Sequence, residues 1–193
     1  GGSVGGIDFS KVIVGTDFDG DSLELSGTGS FVITVEDDVP VLATGATPIT
    51  ATVEEDDMTG AAGGDSSTGN NEDASSNADE VSGLAGSLSS LFSVGADEPL
   101  TTTLKLDAGD LPALLSGGVA VTYAVFGNVL TASAGATTVF TLTVNADGSW
   151  EFDLKDQLDH VDDAANDENT ALQLDGGGSV GGIDFSKVIV GTD

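Results

Sequence analysis

The segment Gly1–Asp17, GGSVGGIDFSKVIVGTD, recurs without a change as Gly177–Asp193. Identity over that length is not chance, and a single sandwich has no use for the same strand twice. The expected source is a tandem array with a period of 176 residues, and such arrays are extended, repetitive proteins. A mechanical or spacing role is therefore expected ahead of a catalytic one. The two copies compete for one structural slot. One is expected to pack into a core and the other to be less ordered or seated against a neighbour.

Alternation of apolar and polar residues dominates the rest of the chain. Phe140, Leu142 and Val144 alternate with Thr141 and Thr143, the turn Asn145–Gly148 follows, and Trp150, Phe152 and Leu154 alternate with Glu151 and Asp153. That is a hairpin with one apolar face. Val119 to Val125 reads as a strand turning at Gly127-Asn128 into Val129 to Ser133. Leu23 and Leu25 are expected to pair with Phe31 to Val35. Ile7 to Val14 and its copy Ile183 to Val190, Ile49 to Val53, Leu100 to Leu106 and Ala171 to Leu174 complete the strands. Short helical turns are expected at Leu111 to Leu115 and Lys155 to His160, and Gly83 to Ser93 fits either a strand or a short helix. Many short strands with Gly and Asp turns predict an all-β, antiparallel, Ig-like β-sandwich. The low-complexity stretch 59–77 reads as a solvated loop. Glu36-Asp37-Asp38-Val39-Pro40 reads as an acidic linker. It divides residues 1–39, the closing strands of a preceding repeat, from residues 40–193, one repeat without its last strands. The strands of 1–39 are expected to complete a sandwich by folding back or by exchange with another copy of the chain.

Thirty-three acids face four lysines, for a net charge of −29. Such a charge opposes nucleic acid and anionic membrane surfaces, both of them polyanions. It also repels itself unless cations neutralise it, and crowded carboxylates are what oxygen-seeking Ca2+ needs. No cysteine is present, so no disulfide staples the fold. The uncharged run 111–146 is not a membrane span, because Pro112 and four glycines interrupt it.

Two stretches carry a resemblance. TDFDGDSLELSGTGSFVITVEDDVP (Thr16 to Pro40) resembles the closing strands of repeat domains in giant RTX adhesins secreted by type I systems. NADGSWEFDLKDQLDH (Asn145 to His160), followed by Asp167-Glu168-Asn169, resembles the preceding segment of the same repeats. The resemblance implies an Ig-like extender, one of many neighbouring repeats in a single chain. These would stand between the bacterial surface and a distal ligand-binding region, stiffened by Ca2+ at the linkers. It also implies export as an unfolded chain and folding outside the cell.

Three acidic clusters are candidate Ca2+ ligands. Asp17, Asp19 and Asp21 set carboxylates at alternate positions of a turn. This is not an EF-hand, since Ser22 stands where its glycine belongs and Thr28 where its glutamate belongs. Glu36, Asp37 and Asp38 in the linker, with Glu54, Glu55, Asp56 and Asp57 beyond the next strand, form a candidate junction clamp. The alternative is a flexible, charge-extended linker. Asp159, Asp162, Asp163, Asp167 and Glu168 form the third, which also reads as a solvated charge run. His160, the only histidine, is read as structural, because no second histidine or cysteine exists to make a zinc site or a thiol dyad. No catalytic residue is assigned; Gly1-Gly2-Ser3-Val4-Gly5 lacks the strand and helix of a nucleophile elbow. The leading expectation is a non-catalytic, Ca2+-stabilised spacer, and the alternative is an adhesin module recognising a surface glycan or peptide.

Overall fold

A computed structural model describes residues 5–25, 27, 29–69, 78–96, 98–162 and 169–193. The chain divides into two compact units, Gly1–Asp38 and Val39–Asp193. Strands β1 (Ile7–Asp8), β2 (Val14–Thr16), β3 (Ser22–Glu24) and β4 (Val32–Ile33) belong to the first. The second holds β5 (Val41–Leu42), β6 (Glu80–Gly83), β7 (Phe92–Ser93), β8 (Thr101–Leu104), β9 (Leu115–Ser116), β10 (Val119–Phe126), β11 (Val129–Ala134), β12 (Thr137–Val144), β13 (Trp150–Leu154), β14 (Leu172–Gln173), β15 (Ser179–Val180) and β16 (Ile189–Thr192). Helical content among the described residues is confined to short 3-10 turns. The fold is all-β, antiparallel and sandwich-like.

The larger unit is built on a six-stranded sheet in the order β6-β13-β12-β11-β10-β9. Its central hairpin has the register the alternation dictates: Phe140 lies opposite Leu154, Leu142 opposite Phe152 and Val144 opposite Trp150. All three side chains of the β12 face are buried, as are Phe152 and Leu154. β12 carries a bulge where Ala132 faces Phe140 but Ser133 faces Thr138. Val139 is the extra residue, and its carbonyl accepts the amides of Lys155 (2.7 Å) and Asp156 (3.0 Å). An unpaired bulge carbonyl is thus satisfied by the chain leaving β13, as a buried acceptor requires.

β8, β16, β14 and the segment around Ala108–Leu114 contribute to the same apolar cluster as this sheet, and the Leu114 carbonyl accepts the Val121 amide of β10 at 2.9 Å. Phe140 is the centre. Its ring stands 5.1 Å from Phe152, 6.2 Å from Tyr123 and 6.0 Å, edge-on, from Phe185. β8 is held at its other edge by Thr102, whose hydroxyl donates to the Asn145 carbonyl (2.6 Å) and whose amide donates to Ala146 (3.2 Å).

Several sequence expectations are corrected. Ile7 to Val14 is not one strand: the Asp8 carboxylate accepts the Ser10 amide at 3.0 Å and folds Phe9–Val12 into a 3-10 turn. The copy does the same through Asp184 and Ser186 (3.1 Å), with Phe185–Lys187 as the 3-10 turn. Asp two residues before an available amide makes this turn locally, and it competes with strand formation. β3 pairs with β2 rather than with residues 31–35, and β4 pairs with β1. The tight turn between Asp17 and Asp21 closes the β2–β3 hairpin before the later strand is reached. Ile49 to Val53 is not a strand. No helix forms at 111–115, where the chain passes through Pro112 into β9, nor at 155–160. There the amides are used elsewhere: Leu158 donates to the Glu55 carboxylate (2.6 Å) and Asp159 to the Leu115 carbonyl (2.8 Å). Residues 83–93 contain the end of β6, a 3-10 turn at Ser89–Leu91 and β7. Within the low-complexity stretch, residues 59–69 form a 3-10 turn and a Thr59–Thr68 bridge, and residues 70–77 lie outside the described residues.

The two repeat copies meet different surroundings. Val188 is fully buried (0% exposed), while its counterpart Val12 is 74% exposed. Truncating the first removes a packed side chain and the second removes almost nothing. Val188→Ala is expected to cost the larger unit about 2 kcal/mol, and Val12→Ala to change stability by less than about 0.5 kcal/mol. Calorimetric melting of the two variants checks the asymmetry.

Candidate metal centre

The turn Thr16–Ser22 links β2 to β3 in the smaller unit. Its closure follows from residue type. The Asp17 carboxylate accepts the amides of Gly20 (3.1 Å) and Asp21 (2.8 Å), and the Asp17 amide donates to the Asp21 carbonyl at 2.9 Å. Gly20 sits at φ +102°, a conformation that side chains rarely adopt. The result brings Asp17, Asp19 and Asp21 together: each offers a carboxylate oxygen, and these oxygens lie within 4.8 Å of one another. Two ligands bound to one calcium at about 2.3–2.6 Å each cannot stand more than about 5 Å apart, so the spacing suits a shared ion. All three side chains are exposed. Asp17 is held below the usual aspartate range, first by a hydrogen bond shared with the Asp19 carboxyl and then by the Asp21 and Gly20 amides, against some desolvation. The donor set is hard oxygen throughout, which excludes a soft-metal preference.

Among the described residues no other three acids meet in this way. Glu36, Asp37 and Asp38 are exposed in the irregular segment after β4. Glu54 to Asp57 are each partly buried in the larger unit. Glu55 is engaged: its carboxylate accepts the Leu158 amide and stands 4.0 Å from His160 Nδ1. Asp162 is exposed beside the His160–Leu172 bridge, and Asp163 and Asp167 lie outside the described residues.

Several acids, Asp159 of the third candidate cluster among them, have defined tasks in holding turns. Asp159 accepts the amides of Gly117 and Gly118, both at 2.7 Å, and so fixes the β9–β10 turn, where both glycines have positive φ. Asp65, 7% exposed, accepts the Thr59 amide at 3.0 Å and the Thr59 hydroxyl at 3.2 Å. Asp147 accepts the amide and hydroxyl of Ser149 in the turn between β12 and β13. Asp-x-Ser, present at Asp8, Asp147 and Asp184, was the available local signal for this class. The Gly117 and Asp65 contacts join distant parts of the chain or loop and had none.

No protein-family model, curated protein or solved structure matches the chain.

Burial raises the Glu55 carboxyl above the ordinary glutamate value of 4.5, reinforced by Asp156 and Asp159 and opposed by the Leu158 amide and by His160. A raised acid stabilises the fold in its protonated form, so this contribution is present below pH 4.5 and lost as the pH climbs through the folded value. Glu55→Gln keeps an acceptor for Leu158 and removes the buried charge. Urea unfolding followed by Trp150 fluorescence is expected to show the variant gaining on the parent between acid and neutral pH, in calcium-free buffer. The two should converge where Glu55 is protonated.

Proposed function

We propose that this chain is a non-catalytic, Ca2+-stabilised extender from a large RTX-type surface adhesin. It would project a distal ligand-binding region away from the bacterial cell, among neighbouring repeats of the same polypeptide. The observation that carries the reading is the Asp17–Asp19–Asp21 turn, whose carboxylate oxygens lie within 4.8 Å of one another. The all-β fold agrees with a mechanical module, since force along paired strands is borne by many hydrogen bonds. The net charge of −29 supplies the driving force: calcium cancels repulsion that otherwise opposes compaction. Glu36, Asp37 and Asp38 close the smaller unit in an irregular segment, where bound calcium would convert mutual repulsion into rigidity. Folding would follow export, because calcium is plentiful outside the cell. No helix among the described residues is long and apolar enough to cross a membrane.

Isothermal titration of the full chain with calcium, at physiological ionic strength, tests this. Saturable binding is expected. Asp19→Asn with Asp21→Asn should weaken the site at least about ten-fold, because ligand charge sets affinity. At calcium about a hundred-fold above Kd, linkage predicts a melting increase of about ten degrees in the smaller unit, reversed by chelation. A chain that binds no calcium, or whose melting ignores EDTA, overturns the proposal.

A further inference from the structure

The two copies of the repeated strand use opposite edges. In the larger unit Lys105 donates its amide to the Val188 carbonyl at 2.8 Å, and β16 runs along β8 with Val190 opposite Thr103 and Thr192 opposite Thr101. Antiparallel pairing bonds alternate residues to one neighbour, so Val188, Val190 and Thr192 face β8. The matching residues of the first copy are Val12, Val14 and Thr16. In the smaller unit, however, Leu25 donates to the Ile13 carbonyl (2.8 Å) and Asp17 to Asp21 (2.9 Å), which turns Ile13, Gly15 and Asp17 toward β3. The edge of Val12, Val14 and Thr16 has no strand beside it among the described residues. The edge of Ile189 and Gly191 on β16 is likewise bare.

The identical strand thus has two compatible partners, one per edge, and each copy has only one of them. The smaller unit also buries none of its described hydrophobic side chains. Ile7, Val12, Val14 and Leu23 are each more than half exposed, a poor outcome for a chain in water. In the larger unit the same valine is sealed against the core.

We propose that the smaller unit of one copy docks on the β8 edge of a second copy of this chain, with Val12–Thr16 taking the place of Val188–Thr192. This goes beyond the calcium reading and does not depend on it. The seated unit would carry β3 with it, giving a three-stranded β8–β2–β3 layer in place of the two-stranded β8–β16 one. The resident copy is favoured by its tether, through effective concentration. Exchange therefore grows with protein concentration or when the resident is unseated. The contact is head to tail, closing into a dimer if reciprocal and otherwise continuing into a string.

One glycine discriminates the two settings. A Cβ on Gly191 would meet the Phe92 ring at 2.9 Å, whereas a Cβ on Gly15 has only the Leu23 carbonyl nearby, at 3.9 Å. A side chain at position 15 is therefore accepted in the free unit but not on β8. The chain has no cysteine, so single cysteines report the register directly. Val14 and Thr103 are both exposed, so a cysteine at either removes no buried side chain. Hydrogen-bonded antiparallel neighbours stand about 5.5 Å apart, within disulfide reach.

Full-length chains carrying Val14→Cys are mixed with chains carrying Thr103→Cys and oxidised. A disulfide-linked heterodimer is expected. Adding Gly191→Val to the Thr103→Cys chain should raise its yield about ten-fold, the resident strand being expelled by overpacking. Adding Gly15→Val to the Val14→Cys chain should abolish it. Two results overturn the proposal: cross-linking no greater than with a cysteine at the exposed turn residue Phe18, or cross-linking that ignores Gly15→Val. The Gly15→Val arm decides the matter even where Gly191→Val fails to fold.

Discussion

The larger unit depends on the seating of Phe185 against Phe140 and Phe152. The ring lies 6.0 Å from the first and 5.8 Å from the second, and it is aimed there by the local turn that Asp184 and Ser186 close. Once Phe185 is fixed, Val188 falls into the core three residues on, and β16 is committed to run beside β8. β8 in turn is tied through Thr102 to the turn after β12. Two aromatic contacts of one residue thus help join β16 and β8 to the central hairpin. Aromatic residues suit the role because each buries a large area at the cost of few rotatable bonds.

The carboxylates serve two different purposes. Asp8, Asp147, Asp159 and Asp184 accept backbone amides and hold turns closed, spending their charge on local hydrogen bonds. Asp17 does both: it closes the β2–β3 turn and offers an oxygen to the cluster with Asp19 and Asp21. Ion pairing has little part in this, since so few cations are present; Lys155 with Asp153, at 2.5 Å, is one instance. A chain so short of positive side chains can relieve its repulsion by solvation, by protonation of partly buried acids such as Glu55, or by a bound metal ion.

Legibility in the sequence followed the range of the interaction. The pairing of Phe140–Val144 with Trp150–Leu154 was readable, because alternation and the Asn145–Gly148 turn are both local, while the start of β12 at Thr137 and its bulge at Val139 were not. The β10–β11 turn at Gly127-Asn128 was readable for the same reason. The Asp17–Asp21 group was visible as alternating carboxylates around a glycine. The partner of β3 was not, since two apolar segments lay within reach and only turn closure decides between them. Asp159 looked like one more member of a charge run. Its task appears only when the Gly117-Gly118 turn arrives from more than forty residues away in sequence. Ile49 to Val53 carried a strand-like pattern but has no strand paired with it among the described residues, and a strand without a partner does not persist.

The repeated segment separates the two kinds of information cleanly. By itself the sequence determined the Asp–Ser turn and the 3-10 geometry, which appear in both copies because their atoms lie within a few residues of one another. It did not determine burial. Val12 and Val188 share every neighbour in the repeated segment, yet one faces water and the other is sealed. The difference comes from β8, Phe140 and Phe152, which only the tertiary structure brings to one copy. The hydrophobic effect rewards contact with whatever apolar surface is present, and no local sequence can specify that.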